Sequence, residues 1–326
     1  MKRRLLIFCM ILSLLAFPVR AQSDYIKWVD LDVSSDAMRR AISLSEQATA
    51  EEQPRSWLEY LALAAVYGGG KVTTAHVARA EKAFSSGKSV KEILDGQKKY
   101  YDYYYEAYSA ALGGLVGNYA IGVTQEETGA TIWKSKYGVK AFSPIAAGYG
   151  YGHYDDFGAG RSYGFSRKHL GNDLMGGLGT PIIAVEGGTV EAMGWNQYGG
   201  WRVGIRSHDR RRYYYYAHLR KDSPFAPGLK EGDTVQAGDV IGFMGRTGYS
   251  AKENVNNINV VHLHFGLQLI FDESQKECNS EIWVDVYDII NLLDSHRSSV
   301  CYDKTAQRWV RVYPYRDLDT EQDAEL

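Results

Sequence analysis

Cysteine is scarce in this sequence: three occur in 326 residues, alongside seven prolines. So few thiols exclude a small disulfide-stapled fold and a cysteine-rich zinc module, both of which need cysteines at short spacings. One of the three, Cys9, lies in an N-terminal leader. Cys278 and Cys301 remain as one pair in an exported chain, and whether they join stays open because content says nothing of proximity. A surplus of basic charge is missing too. The 37 Lys and Arg face 39 Asp and Glu, which removes the cationic stripe that nucleic-acid binding requires. Beyond residue 21 no apolar stretch approaches the roughly 20 residues needed to span a bilayer. Internal repeats and low-complexity tracts are also absent, so solenoid architectures drop out.

What remains is a chain long enough for about two domains. Lys2, Arg3 and Arg4 precede an apolar run from Leu5 to Phe17, and Val19-Arg20-Ala21 supplies the small residues a signal peptidase accepts. Residues 1–21 are expected to be an export signal cleaved after Ala21, with an uncleaved membrane anchor as the competing reading. Removal takes four basic residues and no acidic ones, leaving 33 basic against 39 acidic. The expected location is the cell envelope or the medium, so association with a membrane or the cell wall is compatible with the leader. Oligomeric state is not legible.

Residues 22–140 read as a helical N-terminal domain and linker. Ser34, Ser35 and Asp36 offer an N-cap before Met38 and Ile42, and the apolar segment Trp57–Tyr67 stops at Gly68-Gly69-Gly70. Ser89 followed by Glu92 has capping-box spacing. The tyrosine- and alanine-rich stretch Tyr100–Leu115 is expected to be a helix packed on a neighbouring domain, with helices continuing to about Ile121. From Ala141 to Ser162 the texture turns to Gly, Tyr, Asp and Pro, marking entry to a second domain, residues 141–300.

In that domain short apolar runs alternate with turns: Ile182–Val185, Gly188–Met193, Trp201–Ser207, Arg212–His218, Asp239–Met244 and Val260–Ile270. Such spacing predicts an antiparallel all-β sheet or sandwich, and hence an α+β chain overall. Trp283, Val286, Tyr287, Ile290 and Leu293 recur at helical spacing and predict one closing helix. Residues 301–326 form a C-terminal tail, acidic and apolar-poor from Asp317 onward and expected to be disordered there.

The chemistry gathers on Val260–Ile270. Strand alternation puts His262, His264, Gly266 and Gln268 on one face and Val261, Leu263, Phe265, Leu267 and Leu269 on the other. Two imidazoles on one strand face suit a metal, but a catalytic zinc site needs a third protein donor and an open position. His169 and Asp173 offer it, four residues apart in a segment where Gly171 and Asn172 favour a loop or a strand-to-turn transition. His218 follows at the end of a tyrosine-rich strand, where alternation groups it with Tyr214 and Tyr216 and leaves Tyr213, Tyr215 and Ala217 on the opposite face. Each motif alone is weak; their combination is the signal.

His-x3-Asp, Tyr-x-His and His-x-His in this order resemble the lysostaphin-type zinc endopeptidases, which cut peptide stems or cross-bridges of the bacterial cell wall. Trp195–Gly200 is similar to a turn of that family, and the run containing Glu231-Gly232-Asp233 and Gly238-Asp239 to its hairpin, so the likeness covers about half the chain. The resemblance implies an antiparallel all-β catalytic domain built on a duplicated hybrid motif. It implies one zinc ion held by His169, Asp173 and His264, with His218 and His262 free to act on the water and the developing oxyanion. Tyr163, six residues before the first ligand, matches a family tyrosine that would donate to that oxyanion. Peptidoglycan peptides are the implied substrate. The segment Lys252–Ile258 departs from compact members by lengthening the approach to the last strand, and the helical region lies outside the likeness.

Two other classes compete. A wall- or partner-binding scaffold of the same fold, as in a division or sporulation complex, would typically lack a metal residue, and none is missing here. A biotinyl- or lipoyl-type carrier needs a modifiable lysine at a hairpin tip, which the 231–239 hairpin does not offer. The other histidines, His76, His208 and His296, receive surface or packing readings, and His153 is a candidate to line the groove.

Overall fold

The computed structural model describes residues 25–48, 55–125, 127–163, 165–277 and 280–323. The expected export signal and the Cys278–Cys301 pairing lie outside the described residues. No helix among the described residues is long and apolar enough to cross a membrane.

The helical region begins as expected. Trp57–Gly68 starts on a capping box, with Glu59 N donating to Ser56 Oγ and Ser56 N donating to the Glu59 carboxylate at 2.9 Å. It ends at Gly69, whose φ of 61° is the left-handed conformation a helix C-terminus favours. Ser89 and Glu92 form the second box, opening Val90–Leu94. Ser35–Ala48 and Thr74–Phe84 pack around the central helix, in which Leu61 to Ala65 have no exposed surface. Lys98–Leu112 buries Tyr101, Ala107, Tyr108 and the Ala110-Ala111-Leu112 end while Tyr100 and Tyr105 stay exposed.

Helices do not continue to Ile121. After Gly113 and Gly114 the chain enters a hairpin, Val116–Thr124 against Thr131–Val139. Valine, isoleucine, threonine and tyrosine are strand formers, and a preceding alanine-rich helix hides that change in composition. The tail also differs from expectation. Val300–Asp303 pairs with Arg308–Arg311, and Tyr315–Asp317 adds a third strand to the 116–139 hairpin, followed by the helix Leu318–Asp323. What orders it is a buried cation: Lys140 Nζ holds Asp317 at 2.9 Å and Asp319 at 2.8 Å. Acidic residues that look like a solvated tail are therefore ion-pair partners.

The second region is an antiparallel sheet in the order Thr234–Val235, Gly188–Asn196, Gly200–Ser207, Arg212–Ala217, His262–Leu269, Asn172–Gly176, Tyr151–His153, with Ile282–Val284 pairing onto the far end of the histidine strand. Trp283 thus lies in a strand, and the closing helix is shorter than predicted, Tyr287–Leu293. Leu263, Phe265, Leu267 and Leu269 are at most 1% exposed, on the face opposite the histidines. Tyr214 and Tyr216 pack onto Phe265 from the next strand, at ring distances of 6.1 and 5.2 Å. That apolar face anchors the register that turns His262 and His264 on the other face toward the groove.

An ionic knot fastens the two regions. Arg212, fully buried, donates to Glu186 at 2.7 and 3.0 Å, to Asp209 at 2.8 Å, and to the Ala110 carbonyl at 2.8 Å. Tyr214 Oη donates to the same Glu186. Ala110 sits in the last turn of Lys98–Leu112, where carbonyls lack helical partners and a cation suits the helix end.

Candidate metal centre

Register alone brings the first two donors together. In the pairing of Asn172–Gly176 with His262–Leu269, Asp173 stands directly across from His264. His169 reaches the same point from the end of the hairpin Gly160–Tyr163/Phe165–Lys168, its backbone tied to Ala159 and Gly158. His169 Nε2, Asp173 Oδ1 and His264 Nδ1 lie 2.7–3.3 Å from one another. Gly171 permits the approach: a Cβ there would stand 2.5 Å from the Phe265 carbonyl and 2.8 Å from the His264 ring.

Outer contacts set the protonation of these donors. His169 Nδ1 faces the Asp156 carbonyl at 3.1 Å, and donating there leaves Nε2 as a lone pair aimed at the other two atoms. Asp156 also accepts from Asp173 N through Oδ1 and from Arg161 through Oδ2 at 2.6 Å. Arg161 reaches Asp173 Oδ2 at 3.2 Å. Burial would raise the Asp173 pKa, but the neighbouring His169, His264 and His262 imidazoles outweigh it and hold the carboxyl well below its usual range. Burial pushes His264 down, so it stays neutral at pH 7. Zinc bonds of about 2.0–2.1 Å in a tetrahedron set donor separations of about 3.3 Å, close to those observed. Two imidazoles and a carboxylate, converging within 4.8 Å, fit a zinc ion with a position left for solvent.

His262 and His218 stand beside this set. Each has Nδ1 against a backbone carbonyl, Val260 for His262 and Thr247 for His218, both at 2.9 Å. Donation there leaves Nε2 as the ring nitrogen each offers to other partners, and His262 Nε2 stands 3.7 Å from Asp173 Oδ1. The rings of His218 and His262 are 4.7 Å apart, and His218 is 5.9 Å from His264. Burial, then the neighbouring imidazoles, push the His218 pKa well below the usual histidine value.

His218 faces the groove, not the core face on which alternation places it with Tyr214 and Tyr216. Its φ of +62° breaks the pleat after Ala217, and its N–H then donates to Gly199 O at 2.7 Å. The 196–200 turn supplies that acceptor: Asn196 Oδ1 takes the Tyr198 and Gly199 amides. Tyr213 and Tyr215, on the opposite face, line the groove as alternation implies, Tyr215 standing edge-on to His264 at 5.8 Å. Tyr163 ends a strand, but its side chain lies outside the described residues. His153 is not in the groove: it packs on Tyr287 at 4.4 Å, next to Asn291. His296 stacks on Phe142 and bonds the Ala141 carbonyl.

Sequence reasoning missed Asp156, Arg161 and Thr247. Asp156 lies in a loop with a neighbouring Asp155 and no motif, so nothing local singled it out; a search for a carboxylate within reach of a ligating histidine's second nitrogen would have raised it. The groove has a volume of about 400 Å³, and its walls come from residues between Arg161 and Trp283. Among the described residues, none of the helical region lines it.

Residues 167–277 match the model of peptidase family M23. The L-Ala–D-Glu endopeptidase of Bacillus subtilis is 39% identical over 124 residues, 38% of this chain and 36% of that protein. The glycyl-glycine endopeptidase ALE-1 of Staphylococcus capitis is 37% identical over 119 residues, 36% of this chain and 28% of that protein. The catalytic domain of the antimicrobial peptidase lysostaphin from Staphylococcus simulans superimposes with a TM-score of 0.34 at 27% identity, covering 43% of this chain and 92% of that domain. The match thus spans between about a fifth and about a third of the length of the curated relatives.

Proposed function

Residues 167–277 belong to peptidase family M23, and from that premise we propose that the chain is a zinc-dependent endopeptidase that hydrolyses peptide bonds of bacterial peptidoglycan outside the cytoplasm. The observation that carries this reading is the convergence of His169, Asp173 and His264 within 4.8 Å beside two further imidazoles whose Nδ1 atoms are tied to backbone carbonyls. When bound there, zinc would supply a Lewis acid for the scissile carbonyl and an acidified water.

The chain's own residues do the rest. His169, Asp173 and His264 hold the ion, and Asp156 orients His169 from behind. His218, kept neutral by burial, takes a proton at Nε2 from the attacking water and returns it to the leaving amine. His262 Nε2, 3.7 Å from Asp173 Oδ1, donates to the oxyanion when protonated. Tyr163 is a second candidate donor to that oxyanion. Export through residues 1–21 brings the enzyme to its substrate. The relatives act on two kinds of bond by name, one flanked by glutamate and one between glycines, and the chemistry of the centre serves either.

The test is digestion of purified peptidoglycan by the purified protein, with mass analysis of released fragments. New amine and carboxyl ends, lost with a chelator and restored by zinc, support the proposal. Intact peptides after zinc loading would favour the scaffold reading.

A further inference from the structure

Cations without a counter-charge line the groove beside the metal centre. Arg167, Lys168 and Arg202 all face it. Among the described residues none of the three joins an ion pair, whereas Arg161 next to them is held by Asp156 and Asp173. Asp173, the one carboxylate on the walls among the described residues, is committed to the donor set.

Arg167 is held ready for a ligand. Its guanidinium lies 4.9 Å from the Tyr198 ring centre and 5.3 Å from that of Tyr249, and Nη2 donates to Tyr249 Oη at 3.1 Å. Nη1 is shielded from solvent with no acceptor among the described residues, a penalty that a ligand oxygen would remove. Stacking on tyrosine keeps both the charge and the in-plane donors while fixing the plane, so little freedom remains to be lost on binding. Tyr249 stands 6.1 Å from the His218 ring, which sets this guanidinium one side chain from the proposed base. Burial pushes the Tyr215 hydroxyl pKa up, and Arg202 and Arg167 both pull against that rise, so their fields overlap in one part of the groove.

We infer that Arg167 and Arg202 read a carboxylate of the substrate, borne within a residue or two of the scissile bond, so that the groove takes an anionic peptide and not an uncharged glycine chain. A guanidinium fork matches a carboxylate in two parallel hydrogen bonds. A glycine chain offers only carbonyls and leaves both charges uncompensated. This rests on the endopeptidase reading for the word substrate, but the carboxylate site itself does not require turnover.

The experiment uses the full chain, zinc-free, and two peptides with an alanyl-glutamyl bond that differ only in whether the glutamyl residue carries a carboxylate or a carboxamide. Calorimetry should find the acid bound at least tenfold more tightly. Arg167→Gln and Arg202→Gln should each bring that preference below threefold, Arg202→Lys should keep part of it, and salt should narrow it. Equal affinity of the wild type for the two peptides, or no binding of either, overturns the inference, as does a preference untouched in both Gln variants. Turnover by the zinc-loaded protein is read separately. Cleavage of pentaglycine or of the amide as fast as the acid overturns the carboxylate site and leaves the endopeptidase; no cleavage at all, with the binding preference intact, does the reverse.

Discussion

His169 Nε2 and His264 Nδ1 stand 2.7 Å apart across 95 positions of sequence. With His169 donating through Nδ1 to Asp156, that closeness is a concentration of lone pairs, and the shielded Asp173 carboxylate completes it. An outer partner of this kind fixes the tautomer and orientation of a ligand, and its loss typically costs about 10–100-fold in metal affinity. Asp156→Ala keeps the backbone carbonyl but removes the carboxylate 3.3 Å from His169 Nδ1 and frees Arg161 and the Asp173 amide, so it should weaken zinc binding by about tenfold, the lower end of that range, in competition with a chromogenic chelator. Unchanged affinity would show that the Asp156 backbone carbonyl suffices.

His218 lies outside the donor set, so metal and turnover should separate there. His218→Ala should keep its zinc and lose about 10²–10⁴-fold in kcat, the usual share of a general acid–base group. Zinc loss in this variant would mean that the imidazole holds the ion and does not move the proton.

Removing one partner of the buried knot leaves an uncompensated charge. Arg212→Ala should destabilise the protein by about 3–5 kcal/mol, measured by urea unfolding, with Glu186→Gln a milder case because Tyr214 keeps an acceptor. Since Arg212 also caps the helix ending at Leu112, limited proteolysis should cut the Gly113–Gly114 connection sooner. A variant as stable as wild type would reduce the knot to incidental contact.

Burial holds His153, His218, His264 and His296 below the ordinary imidazole value. Unfolded histidines take up protons below about pH 6.5, so the unfolded state binds more protons there and stability rises with pH. The zinc-free protein should have a flat Tm above pH 7 and a falling one from about pH 6.5 toward 5. A Tm that holds or climbs toward acid would contradict the buried, neutral histidines.

The catalytic strands were readable because their signal is local. His262–Leu269 alternates over its whole length, and apolar runs with turn residues mark its neighbours. His218 shows the limit of that method: alternation holds through Ala217 and fails at the next residue, where a left-handed backbone turns the side chain into the groove. The pleat depends on φ, and sequence gives no direct sign of a positive φ at a histidine. The 116–139 hairpin and the tail strand failed for another reason. Their stability comes from contacts such as Lys140 with Asp317, 177 positions apart, which no window of residues contains. The donor set was found through spacing and family likeness; its supports, Asp156, Arg161 and Thr247, answer to geometry alone.

The central claim is that three distant side chains make one zinc site, and metal content measures it most directly. Purified wild-type protein, dialysed against trace zinc and assayed by mass spectrometry, should carry one zinc per chain. His264→Ala and Asp173→Asn should carry little while remaining folded, and His218→Ala should carry the full amount. Equal zinc in the wild type and both ligand variants, or none in any of them, would contradict the account.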